Sequence, residues 1–125
     1  MRVNELKNFI KSIVPGEYYS NRFPVSSNAP DNCSAVKLTG GFPPDQWTGK
    51  RQPSFQVRVR GVDDQECEER AYAIHKALTN LKNVKIGDDS IVIIRAMSSD
   101  PLMIGEDENN RIIFSMNFDC VVRPR

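Results

Sequence analysis

Long apolar runs are missing from this 125-residue chain. Nothing approaches the ~20 consecutive apolar residues of a membrane span, and Met1-Arg2-Val3-Asn4-Glu5-Leu6-Lys7 lacks the apolar stretch of a secretory leader. The expectation is a protein made and kept in a cytoplasm, with no membrane partner. Cysteine is scarce. Cys33, Cys67 and Cys120 are odd in number, far apart and without a C-x-x-C pair, which predicts buried free thiols rather than disulfides or a metal cluster. Histidine occurs once, and His75 cannot form a nucleophile pair with Cys67, because the two lie ~12 Å apart along one predicted helix. Charge of one sign is not in excess. A formal net charge of +1 argues against wholesale, unspecific DNA binding and leaves room only for a local basic patch.

Phosphate loops and metal-ligand spacings are also missing. Thr39-Gly40-Gly41 runs into Phe42-Pro43-Pro44, which cannot open a helix as a phosphate-binding loop would. Glu106-Asp107-Glu108 lacks the alternating ligands of a calcium loop and suits a solvated hairpin tip. These absences predict no enzyme, no cofactor and no metal.

What is present is organised around Pro53–Leu81. Phe55, Val57 and Val59 alternate with Gln56, Arg58 and Arg60, a strand with one apolar face. Gly61 ends it. Asp63 then suits the cap of a long helix, with Glu66 completing a capping box. Cys67, Ala71, Ile74, Leu78 and Leu81 form its buried stripe, and a helix from Asp63 to Leu81 spans roughly 28 Å. Before this unit, Leu6, Phe9, Ile10 and Ile13 mark a first helix that Asn4 is placed to cap. Strands are expected near residues 17–23 and 34–39, with a Ser/Asn/Pro-rich loop at 24–32 between them. After it come a short extended piece at 84–86, a strand at 90–96 that is apolar on both faces and so interior, and a long strand at 111–123. Asn109-Asn110 tolerates positive φ and suits the turn of a hairpin. The reading is a single α+β domain over residues 1–125. It has a mixed, mostly antiparallel sheet of four to five strands, with an N-terminal helix and one long central helix packed on one face. A long loop, 40–52, and an extended hairpin arm, 98–111, stand out from it.

Two stretches carry a resemblance. Gln56-Val57-Arg58-Val59-Arg60-Gly61, the acidic helix start and Ala73-Ile74-His75-Lys76-Ala77-Leu78 form the first. Pro101-Leu102-Met103-Ile104-Gly105-Glu106-Asp107-Glu108-Asn109-Asn110-Arg111, leading into Phe114-Ser115-Met116-Asn117-Phe118, forms the second. From Pro53 to Val122 the chain resembles the small minor capsid or tail-completion proteins of tailed bacteriophages. The resemblance implies a tail terminator: a non-enzymatic virion protein, present in the host cytoplasm during assembly. It would form a ring, commonly a hexamer, at the head-proximal end of a long tail. The implied partners are other copies of itself, the tail tube protein, a head-completion or connector protein, and DNA passing through the lumen without sequence specificity.

A ring joins two different patches of each subunit. The expected patches are the aromatic, basic loop with Phe42, Trp47, Lys50 and Arg51, and the arm with Leu102, Met103, Ile104, Glu106, Asp107 and Glu108, whose charges are opposite. Arg58, Arg60 and Arg95 are candidates to face the lumen or DNA. The alternative is a small nucleic-acid-binding regulator using that arginine-bearing sheet face.

Overall fold

The computed structural model describes residues 1–26 and 28–124; Ser27, inside the loop expected at 24–32, lies outside the described residues. The element order is α1 (Val3–Ile13), β1 (Tyr18–Ser20), β2 (Cys33–Leu38), β3 (Ser54–Gly61), α2 (Asp64–Leu78), β4 (Leu81–Ile86), β5 (Asp89–Ala96), β6 (Leu102–Glu106) and β7 (Ile112–Val122). The class is α+β, but the sheet has seven strands rather than four to five. The strands run β1-β2-β3-β7-β5-β4, with β6 also on β7, and β1–β2 is the parallel pair.

The extra strand β6 has a clear cause. β7 is long enough to serve two partners end to end on one side. It pairs β5 along its C-terminal half and β6 along its N-terminal half, and it pairs β3 on the other side. Part of the segment expected as an extended hairpin arm therefore becomes a strand of the sheet itself. β4 was legible only as 84–86 because Lys82, Asn83 and Lys85 are exposed and blur its alternation. β5 lies between β7 and β4, as its two apolar faces require.

Alternation on β3 sends Phe55, Val57 and Val59 to one face, and their partners Phe118, Met116 and Phe114 on β7 point the same way. The phenyl rings of Phe55 and Phe118 stack at 5.2 Å. Cys67, Ala71, Ile74 and Leu78 of α2 cover this surface as one buried stripe. Helix α1 buries Leu6 and Ile10 and touches β1 and β2 at one edge of the sheet and β4 at the other. The sheet is therefore curled, with α1 bridging its margins.

Two helix boundaries differ from expectation. α2 stops at Leu78, because Asn80 takes a positive φ of 58° and turns the chain into β4, so Leu81 opens a strand instead. At its start Asp63 is the N-cap residue, but no side-chain bond is made there and the box with Glu66 does not form. α1 begins at Val3, one residue ahead of Asn4, and the Arg2 amide donates to Glu5 Oε1 at 2.8 Å.

Candidate assembly surfaces

The 40–52 loop is a built hairpin, not a slack connection. Thr39 and Ser54 hydroxyls bond at 2.5 Å across its base, and the Phe42 amide donates to the Gln52 carbonyl at 3.1 Å. Gly41 has φ of +92°, and a side chain there would collide with the Gln52 carbonyl and sit 2.8 Å from Pro53 Cα, so only glycine fits the turn-in. At the tip, Asp45 organises the chain. Its Oδ1 accepts from the Trp47 amide at 2.8 Å and the Thr48 amide at 3.0 Å, and its carbonyl accepts from Gly49. The bonds from Thr48 and Trp47 hold the Asp45 carboxyl below the usual carboxylate range. This turn presents Trp47 with 87% of its surface exposed. Phe42 is exposed lower on the same loop. Lys50 is exposed and forms no ion pair among the described residues. Arg51 is committed internally: its Nη2 bonds Asp89 Oδ1 at 2.5 Å, beside the amino group of Met1 on Oδ2.

The arm is the β6–β7 hairpin. β6 pairs only with β7, so its outer edge is open among the described residues, and Leu102, Met103 and Ile104 are 64, 47 and 52% exposed. Asp107 closes the tip. Its Oδ1 accepts from the Asn109 and Arg111 amides at 3.0 Å each, and its Oδ2 pairs with Arg111 Nε at 2.7 Å. Burial works against that carboxylate, but the two amides and the guanidinium outweigh it and hold the group below its ordinary value. Asn110 takes the positive φ of 61° that the Asn-Asn pair suggested. Glu106 and Glu108 form no ion pair among the described residues. Of the opposite charges expected to meet across an interface, Arg51 and Asp107 are thus spoken for within the chain, and Lys50, Glu106 and Glu108 are free.

The three arginines of the polar sheet face fare differently from one another. Arg60 is 2% exposed. Its guanidinium donates to the carbonyls of Pro30 (2.8 Å), Pro24 (3.2 Å) and Asp31 (3.4 Å), and its Cζ lies 4.8 Å from the centre of the Phe23 ring. Arg58, two residues earlier on the same face, bonds the Asn21 carbonyl at 2.9 Å and lies 5.1 Å from the same ring. The two strap Asn21, Phe23, Pro24, Pro30 and Asp31 onto the sheet, which removes Arg60 from any lumen or DNA surface. Arg95 is exposed but makes a two-bond cross-strand pair with Asp119, at 3.1 and 2.9 Å.

His75 bonds the Ser98 carbonyl at 3.0 Å through Nε2 and packs its ring 5.9 Å from that of Phe118, so it fastens the start of the arm to α2. All three cysteines are free and buried. Burial pushes Cys67 up to about 11 and Cys120 up to about 12, far from a nucleophile at neutral pH. No cluster of potential metal ligands occurs among the described residues, and no helix there is long and apolar enough to cross a membrane. A feature not foreseen in the sequence is a groove of 510 Å³ between Phe23–Val25 and the arm tip, with Ile113 on its wall. Its sign was only Phe23 placed before a polar loop.

The model of the bacteriophage tail terminator proteins matches residues 9–123, from α1 to the end of β7. The chain belongs to the bacteriophage tail terminator family. Membership makes it a structural component of the phage virion, as the resemblance from Pro53 to Val122 implied. A search of curated proteins finds no sequence match. Among solved structures, a chain of the virion of a native gene transfer agent particle is similar in fold, with a TM-score of 0.63 over 90% of this tail terminator family member and 83% of that chain, at 11% identity.

Proposed function

We propose that this protein is a tail terminator that forms a ring, of six subunits, on the head-proximal end of a long tail. The ring ends polymerisation of the tail tube and offers the head connector a surface to join. The observation that carries the proposal is the family match across nearly the whole folded body. The architecture supports it. The chain displays two unlike surfaces, an aromatic hairpin with a free lysine and an apolar arm with free acids, as a head-to-tail interface requires. With Arg60 buried and Arg95 neutralised by Asp119, little positive charge is left on the sheet face for a nucleic-acid regulator, so DNA is a passenger in the lumen rather than a ligand. Any contact with it falls to Arg58.

The test is removal of the protein from an otherwise complete phage. Electron microscopy of the lysate is expected to show tails of unregulated length and heads without tails, with both defects corrected by the intact chain supplied from a plasmid. Tails of normal length already joined to heads in its absence would refute the proposal.

A further inference from the structure

The exposed indole and the groove lie at opposite ends of the same strands. The 40–52 hairpin springs from the end of the sheet where Arg51 bridges Val122 and Ser54 pairs with Asp119. The groove lies at the other end, where Arg60 pairs with Ile113. The eight residues of β3 separate them by roughly 23 Å at ~3.3 Å per residue, so one molecule cannot bring them together. The groove has Phe23, Val25 and Ile113 as apolar walls, Arg60 and Arg111 beside them, and Glu106, Asp107 and Glu108 along its rim. The hairpin offers an aromatic knob, Trp47, with Lys50 three residues on. Each patch has what the other lacks.

We infer that Trp47 of one copy of this chain inserts into the groove of the next copy, with Lys50 against the Glu106 and Glu108 rim. The inference rests on the ring reading above and names the contact that builds it. A second hollow, of 260 Å³, lies beside Phe42 at the hairpin's own end. Docking there would make a two-fold pair instead of a ring. Charge decides against it: that hollow is walled by Arg51 and the Met1 amino group, of the same sign as Lys50, and its one acid, Asp89, already holds both. The far groove also holds two arginines, but Arg60 is spent on backbone carbonyls and Arg111 on Asp107 and Asp31, which leaves Glu106 and Glu108 with no ion-pair partner among the described residues. A buried aromatic at the centre of an interface, ringed by charge, is also how a small patch becomes tight.

Because Trp47 is the chain's one tryptophan, its emission reports its own burial. The purified full-length chain is titrated from micromolar to millimolar concentration. Native mass and tryptophan emission are followed for the parent, Trp47→Ala and the double change Glu106→Lys with Glu108→Lys. All three positions are exposed, so thermal melts of the variants should match the parent. The parent should blue-shift as it associates, and each variant should self-associate at least ~30-fold more weakly. Mixing the two variants should give a 1:1 dimer and nothing larger, because each retains the half the other lost. Adding Lys50→Glu to the rim-reversed variant should recover part of the loss. A parent that stays monomeric with unshifted emission at millimolar concentration overturns the inference. So does a Trp47→Ala variant that assembles like the parent. Assembly lost with Trp47→Ala but intact with the reversed rim would instead assign the two-fold contact at the Phe42 hollow. If the inference fails while the same variants still correct tail length in the phage, the terminator reading stands without it.

Discussion

Replacing Arg60 with methionine should destabilise the fold by roughly 3 kcal/mol. Methionine keeps an unbranched apolar stem in the same space and removes only the guanidinium. What is lost is one well-made bond to Pro30, a longer one to Pro24, a weak one to Asp31 and the stack on Phe23. Bonds from a charged donor contribute ~1.5–3 kcal/mol each when well formed, and a desolvated cation over a ring about 2 kcal/mol. Against this, the buried charge itself disappears, and water can reach carbonyls on a partly exposed loop, so the sum is cut to about half. At ~2.1 cal/mol/K per residue, 125 residues give a slope of ~0.26 kcal/mol per degree, so Tm should fall by about 11 °C. Arg60→Lys should lose more than half of that, since an ammonium cannot lie flat on Phe23 or fork to three carbonyls. The assay is a calorimetric or circular-dichroism melt of the three proteins, with hydrogen exchange to show that residues 21–26 and 28–31 loosen first. A methionine variant melting within 3 °C of the parent would refute the reasoning and return Arg60 to the pool of functional cations.

Three further outcomes follow from the same structure. Gly41→Ala should cost about 3 kcal/mol and free the Trp47 hairpin, whereas Gly40→Ala, with φ of +93° but open space around it, should cost only the ~1 kcal/mol of backbone strain; paired melts check the contrast. None of the three thiols should react with a neutral disulfide reagent in the native state, and all three should react on unfolding, so the rate of labelling should track global opening. Asp45 and Asp107 have carboxyls lowered from an ordinary 3.8, so the order they confer on the two hairpin tips is present above that value and is lost as pH falls through their lower folded values. Amide signals of Thr48 and Arg111 followed by NMR should hold steady down to about pH 4 and move below it.

The sequence by itself determined the parts that depend on local pattern. Alternation on Phe55, Val57 and Val59 set the buried face of β3, the spacing of Cys67, Ala71, Ile74 and Leu78 set the inner stripe of α2, and the late Pro101–Phe118 motif carried the family. These are short-range facts, because a strand repeats every two residues and a helix every 3.6. Tertiary structure alone decided how many strands the sheet has, since β4 and β6 exist only where β5 and β7 offer them a ladder. It also decided which charges are free. Arg51, Arg60, Arg95 and Asp107 look like surface candidates along the chain, yet each finds a partner tens of residues away or across a turn; of the charges expected at the subunit interface, Lys50, Glu106 and Glu108 are the ones left without an ion pair among the described residues. Whether a charge is spent inside a fold depends on long-range proximity, which no local pattern encodes.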